Sequence, residues 1–200
     1  MGMKKFALSI INPISYLVCS GVKWVENRTW TTEYRGRVYI HSSSMKDYGF
    51  ASREFFPKKL LEDYDEVLKQ TGYKEPSKNF VDSFIKKNGE ARWLDVALMA
   101  DGLNNLYTLY DVLYGETWEE LKDEKEQKAF FKEHERLLRC SAIIGHVDLV
   151  DIKKDSQSAW ASPGEFHWIF DNPVLYKQPV RNVKGRLRLF DVSHITMPDD

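Results

Sequence analysis

The spacing of apolar residues changes twice along this 200-residue chain, and this change constrains the fold more than any other feature. In residues 1–44 and 140–200, short runs rich in β-branched residues, such as VYIHSS and AIIGHVDLVDI, are typical of strands. In residues 45–139, apolar residues recur every three or four positions, which predicts helices. We therefore expect the first and last parts of the chain to form one sheet or barrel, with a helical insertion packed on it.

A short helix is predicted at residues 13–20, directly after the first strand (FALSII). Asn12 suits the N-cap and Pro13 the first helical position, because the first turn leaves its N–H groups unpaired in any case. Gly21 follows the apolar run and is typical of a helix end. The predicted fold class is thus α+β, with a short N-terminal helix and a large all-helical insertion of roughly four helices.

The closing segment, VKGRLRLFDV, is expected to be a strand with two different faces. Alternation puts Leu187 and Leu189 on one face and Arg186 and Arg188 on the other. This pattern predicts a half-exposed strand at the end of the β-rich unit.

Charge is unevenly distributed along the chain, whose formal net charge is −1. Residues 1–44 and 140–200 together carry thirteen Lys and Arg against ten Asp and Glu, a balance of +3. Residues 45–139 carry sixteen against twenty, a balance of −4. The net charge argues against a strong electrostatic DNA-binding protein, and the strand-forming unit is only mildly basic.

The two cysteines, Cys19 and Cys140, are too few for a disulfide framework and favour a reducing compartment. No segment approaches the roughly eighteen consecutive apolar residues of a membrane span, and the N-terminus lacks the apolar run of a signal peptide. We therefore expect a cytoplasmic protein with no membrane partner. The histidines and cysteines have no metal-ligand spacing, and no glycine-rich loop suits a phosphate, so that neither a metal nor a cofactor is expected.

Four sequence blocks in the strand-forming parts carry a resemblance to a known family. The first is GVKWVENR at residues 21–28, continued by YRGR and IHS; the others are AIIGHVDLVD, WASPGEFHWIFDNP and VKGRLRLFDV. They stand in the order typical of the ASCH domain, and the chain resembles that branch of the PUA-like superfamily. The resemblance implies a PUA-like mixed β-barrel built from residues 1–44 and 140–200, interrupted by the insertion at 45–139.

The resemblance also implies a cleft beside the barrel that holds an RNA segment or an extruded base. Lys23, Glu26 and Arg28 are expected on a loop between a helix and a strand, where functional groups commonly lie. A turn could bring all three together, so that Glu26 is neutralised and the two cations meet a phosphate or a carbonyl oxygen. The alternative is an exposed ion-pair cluster of little energetic value.

Several other side chains suit stacking on a base or hydrogen bonding to its edges. The predicted ligand-binding set is Lys23, Glu26, Asn27, Arg28, Trp30, His41, Ser42 and Trp160, with Trp24 as a further candidate. Trp168 alternates with Phe166 and Phe170, which favours a core position. Trp160 lies between two polar segments, so that we expect it at the rim of the cleft.

Binding of RNA, of single-stranded nucleic acid or of a modified nucleobase is the first function that this pattern supports. The alternative is a hydrolase acting on RNA or on a modified nucleoside, because some small ASCH proteins resemble N4-acylcytidine amidohydrolases. In such an enzyme Lys23, desolvated to favour its neutral form, would act as base or nucleophile, and Glu26 would shuttle a proton. That branch has Thr where this chain has Glu26, so the mechanism does not transfer intact. A third possibility is an interaction protein whose helical insertion docks a partner. The ligand, the choice between RNA and DNA, and the oligomeric state stay open.

Overall fold

The computed structural model describes residues 4–12, 14–43, 56–72, 74–100, 125 and 141–198. Within these residues the fold is α+β, as predicted, with a curled six-stranded mixed sheet and helices beside it. About half of the predicted helical insertion at 45–139 lies outside the described residues, and its status as an insertion stays a prediction.

Apart from β2, where the sequence analysis expects a loop, the strands and helices follow the predicted order along the chain. The strands are β1 (Phe6–Ile11), β2 (Val25–Arg28), β3 (Gly36–Ser43), β4 (Ala142–Lys153), β5 (Phe166–Val180) and β6 (Leu189–Asp191). The helices are α1 (Ile14–Cys19), α2 (Lys58–Thr71) and α3 (Lys78–Asn88), and residues 90–100 are also helical. In the described part of the chain, every helix is too short or too polar to cross a bilayer.

The sheet has the strand order β2-β5-β4-β3-β1-β6 and is antiparallel except for the parallel pair β1–β3. Three strands separate β2 from β1, yet Arg28 Nη2 on β2 donates to the Ser9 carbonyl oxygen on β1 over 3.1 Å. The sheet therefore curls into a half-barrel that brings these two strands face to face. We call the gap between β1 and β2 the seam.

Helix α1 lies where the sequence predicts a short helix, and the five residues Ser15–Cys19 are buried. The backbone turns away at Gly21, whose φ of 83° is a left-handed conformation that a residue without Cβ adopts at little cost. The predicted first helical residue, Pro13, lies outside the described residues. The burial of α1 holds the start of the chain against the sheet and directs residues 22–28 along the seam.

Two hydrophobic clusters fix the position of the seam. One packs α1 on the sheet and contains Trp168, which is fully buried, as predicted. The other joins the helical segments to α1 and β2. Its members on the helical side are Phe56, Leu60, Val67, Phe84, Val96 and Met99, and those on the sheet side are Tyr16, Leu17, Val22, Val25, Trp160 and Ile169. The helical segments therefore share a core with the residues around the seam.

The last strand is shorter than the alternation of VKGRLRLFDV predicts. β6 spans only Leu189–Asp191, and Leu187 is 94% exposed. Arg188 has a φ of 60°, and a residue in this left-handed conformation interrupts a strand. The predicted two-faced strand is therefore wrong at residues 183–188, which form an irregular segment instead.

Gly145 on β4 gives a test of how closely the sheet is packed. A Cβ added there would lie 2.0 Å from the Val174 carbonyl oxygen and 2.9 Å from Cys19 Sγ, and neither atom can move far. We expect Gly145→Ala to lower the free energy of unfolding by about 3 kcal/mol in urea titrations. Val150→Ala on the same strand, where the side chain is 48% exposed, should cost less than about 1 kcal/mol. Equal losses for the two variants would contradict the close contact.

Candidate functional site

An open cleft of about 630 Å³ lies at the seam. Its aliphatic wall comes from the end of β1 and the start of α1, through Ile10, Ile11 and Ile14. Its polar wall consists of Lys23, Glu26, Asn27 and Arg28. The rest of the lining comes from Phe56, Pro57, Trp160 and Ser162. We call it the seam cleft. Five of the eight predicted ligand-binding residues therefore meet at one place.

A buried ion triad forms the polar wall. Glu26 Oε2 lies 2.5 Å from Lys23 Nζ, and Glu26 Oε1 lies 3.1 Å from Arg28 Nη1. Lys23 Nζ also donates to the Val25 carbonyl oxygen. Lys23 and Glu26 are only 6% and 7% exposed, so that the alternative of an exposed ion-pair cluster is wrong. The triad carries a net charge of +1 that is fixed in place before any ligand arrives.

Strand geometry, and not a loop, brings two of the three charges together. Glu26 and Arg28 both lie on β2, two residues apart, and residues at this spacing point to the same face of a strand. Lys23 precedes the strand and reaches Glu26 from the turn that follows α1. The expectation that all three lie on a loop is therefore wrong for Glu26 and Arg28.

Trp160 lies at the base of the seam cleft and not at its rim. It is 5% exposed, and its ring centroid is 5.6 Å from that of Phe56. Lys23 Nζ lies 5.7 Å from the centroid of the Trp160 ring, a distance at which a cation is attracted by the ring face. Within the described residues, Trp160 Nε1 has no hydrogen-bond acceptor. The polar flanking sequence suggested exposure, but the aromatic ring packs into the core that the helices share with β2.

Side-chain hydrogen bonds hold the loop that carries Trp160. Asn27 Nδ2 donates to the Trp160 carbonyl oxygen over 2.8 Å, and Asn27 Oδ1 accepts from the Ser162 N–H over 2.9 Å. His167 Nε2 donates to the Ser162 carbonyl oxygen, and His167 Nδ1 accepts from the Ser156 N–H. Asn27 thus positions the loop, which is a different role from reading a base edge.

Asp95 is a residue of this site that sequence reasoning missed. It lies in the helical residues 90–100, is fully buried, and accepts hydrogen bonds from Trp24 Nε1 (2.7 Å), Ser158 Oγ (2.8 Å) and the Ala159 N–H (2.6 Å). Burial raises the pKa of Asp95, and the three hydrogen bonds oppose that rise. The available signal in the sequence was the single carboxylate inside the apolar run WLDVALMA. An acid in such a run is expected to be buried, and a buried acid needs hydrogen-bond partners.

The other three predicted residues lie outside the seam cleft. His41 is buried between Ser9 Oγ (3.2 Å) and the Val183 carbonyl oxygen (2.8 Å). Ser42 Oγ accepts from Ser15 Oγ over 3.0 Å, which links β3 to α1. Trp30 packs edge-on against Trp168, with ring centroids 4.7 Å apart. These contacts give His41 and Ser42 a structural role.

The comparisons with known proteins leave the family open. No family model matches the sequence, and no curated protein matches it either. The ASCH resemblance therefore rests on the four sequence blocks alone. In the part of the chain that the structure describes, no three His, Cys, Asp or Glu side chains are grouped as a metal site requires.

The buried position of His41 leads to a pH dependence of stability. Burial lowers the pKa of His41, so that the unfolded chain takes up a proton on this ring, near pH 6.5, at a higher pH than the folded state does. The unfolded state then binds more protons, and stability falls as the pH falls below that value. Between about pH 7.5 and 5.5, urea titrations should show a larger loss for the wild type than for His41→Gln. Equal losses would contradict a lowered pKa of His41 in the folded state.

Proposed function

We propose that the seam cleft binds a base of RNA or single-stranded nucleic acid, or a modified nucleobase, in a domain of the ASCH type. The observation that carries this proposal is a preformed charge of +1 beside the Trp160 ring in an open cleft. The four sequence blocks point the same way, and with them we propose the finer fold: a PUA-like barrel at 1–44 and 140–200 with an insertion at 45–139.

The ion triad suits an anionic or carbonyl oxygen of such a ligand. An ammonium has three N–H donors, and Lys23 Nζ uses two of them on Glu26 and the Val25 carbonyl oxygen. Arg28 is also held from two sides, by Glu26 and Ser9. Cations held in this way lose little conformational entropy when a ligand binds, so that more of the interaction energy appears as affinity.

The apolar walls of the cleft suit the faces of a base. Trp160 and Phe56 lie on one side and the aliphatic residues of β1 and α1 complete the lining. Stacking on an aromatic ring contributes about 1–3 kcal/mol per base and tolerates any base. This chemistry explains how a protein with a net charge of −1 can bind a nucleic acid through one or a few nucleotides.

A hydrolase acting on a modified nucleoside or on RNA is the second candidate. The distance of 2.5 Å between Lys23 Nζ and Glu26 Oε2 favours it, since a proton could pass directly between these atoms. A nucleophilic amine, however, would first have to lose its contacts with two oxygens that stabilise the ammonium. We therefore place binding first.

Stacking is tested with two variants, each of which removes one tryptophan ring that packs in the same hydrophobic cluster. Trp160→Leu should weaken binding of a short RNA, or of a nucleoside from a modified-nucleoside panel, by about 1–3 kcal/mol in titration calorimetry. Trp93→Leu removes a ring that packs on Phe84 in that cluster and should leave affinity unchanged. Thermal unfolding of both variants controls for lost stability. Equal affinities of the two variants would place the ligand elsewhere.

Variants at Lys23 separate binding from hydrolysis. Lys23→Ala leaves Glu26 opposite Arg28 alone, so that the local charge falls to zero and affinity should fall by about 1–3 kcal/mol. The double variant Lys23→Ala, Glu26→Gln restores the charge of +1 through Arg28 and should recover much of the affinity. Lys23→Arg keeps the charge and should also bind.

The same variants are then assayed for deacylation of N4-acetylcytidine and for cleavage of RNA. If Lys23 is a base or nucleophile, all three variants lose turnover even where they bind. Wild-type affinity and turnover in Lys23→Ala would remove Lys23 from both schemes.

A further inference from the structure

A concentrated basic surface lies outside the seam cleft. Residues 177–188 contain five cations and no acid, and all five are exposed: Lys177, Arg181, Lys184, Arg186 and Arg188. Within the described residues, Lys177, Lys184, Arg186 and Arg188 take part in none of the ion pairs. We call residues 181–188 the basic segment. Within the residues that the structure describes, its cations Lys184, Arg186 and Arg188 have no carboxylate partner.

The basic segment adjoins the seam cleft through Ser9. The Ser9 carbonyl oxygen accepts from Arg28 Nη2 over 3.1 Å, and Ser9 Oγ donates to the Arg186 carbonyl oxygen over 3.2 Å. One residue of β1 therefore contacts both the ion triad and the basic segment. The Arg188 guanidinium lies 5.9 Å from the Trp30 ring centroid, which extends the surface beyond the end of β2.

The backbone of the basic segment is held in place although it belongs to no strand. The Val183 N–H donates to the Ser141 carbonyl oxygen over 3.0 Å, and the Val183 carbonyl oxygen accepts from His41 Nε2. Gly185 packs so closely on His41 that an added Cβ would lie 2.5 Å from its Cε1. Lys184 and Arg186 flank this anchored glycine, and their side chains are exposed.

We propose that the basic segment binds the phosphodiester backbone of the strand whose base occupies the seam cleft, so that the ligand is a polynucleotide and not a free nucleoside. The inference rests on the proposed function and adds the class of ligand. The ion triad, with its net charge of +1, matches about one phosphate, whereas the exposed cations Lys184, Arg186 and Arg188 beside it match several. Trp30 and the exposed Leu187 offer apolar surface between those charges.

The test compares two variants with the same change in charge. One carries Lys184→Gln, Arg186→Gln and Arg188→Asn, because asparagine tolerates the left-handed backbone at that position. The control carries Lys74→Gln, Lys78→Gln and Lys86→Gln, all exposed and on or just before α3. The probes are a labelled single-stranded RNA of about ten nucleotides, the matching DNA, and 5′-CMP. Affinity is measured between about 50 and 200 mM salt.

We expect the basic-segment variant to lose on the order of 10- to 100-fold in oligonucleotide affinity at low salt. The slope of log affinity against log salt should become shallower by about 2, since each single-strand phosphate contact contributes about 0.7. The control variant should keep the wild-type slope, and 5′-CMP should bind all three proteins alike.

Other outcomes separate this inference from the proposed function. An oligonucleotide that binds wild type no more tightly than 5′-CMP, or equal losses in both variants, overturns the inference and leaves the cleft proposal standing. Oligonucleotide binding that needs the basic segment but is unchanged in Trp160→Leu contradicts the cleft proposal and overturns the inferred link between the two surfaces, while it still identifies a polynucleotide as the ligand of the basic segment. Binding to anionic phospholipid vesicles in place of either oligonucleotide, lost in the basic-segment variant, would assign the surface to a membrane and overturn the inference.

Discussion

The carboxylate of Glu26 is the group on which the architecture of the seam depends. A half-barrel leaves two strands facing each other without a hydrogen-bonded ladder, and here a buried acid between two cations occupies that gap. Burying charges is costly unless their hydrogen bonds are satisfied, and this triad satisfies them with two backbone carbonyl groups, those of Val25 and Ser9. Apolar side chains in the place of the triad would close the seam at a lower cost in desolvation free energy. The triad keeps it open and polar, which is what a ligand site requires.

The helical segments contribute to the cleft as well as covering the sheet. Asp95 holds Trp24 on one side and the Ser158–Ala159 backbone on the other, so that the Trp160 loop is bound to a helix far from it in sequence. Phe56 adds an aromatic ring to the cleft wall. Loss of the Asp95 carboxylate would leave three donors without this acceptor, the buried Ser158 hydroxyl and the half-buried Trp24 and Ala159 N–H groups, which couples the stability of the helical layer to the position of Trp160.

Local signals predicted much of the fold, and long-range contacts account for most of what they missed. The period of apolar residues indicated which parts of the chain form the sheet, and the Gly21 stop located the end of α1. The alternation of apolar residues correctly predicted that Trp168 lies in the core. It did not predict that β6 begins only at Leu189, because the left-handed backbone of Arg188 and the close packing of Gly185 are not visible in the alternation. The cleft residues of β2 were predicted from one motif. The burial of His41 was not predicted, because its partners, Ser9 and Val183, come from distant segments.

Net charge proved a poor guide to the electrostatics around the seam. A ligand in water responds to charges within about 8 Å at physiological salt, so that acids elsewhere in the chain are largely screened from it. The whole chain has a charge of −1 and the strand-forming parts +3, yet five cations without an acid fall within residues 177–188. That segment adjoins the ion triad through Ser9, because β1 is paired with β6 on one side and faces β2 on the other. The position of this positive charge beside the triad is therefore a property of the curled sheet, and composition alone could not reveal it.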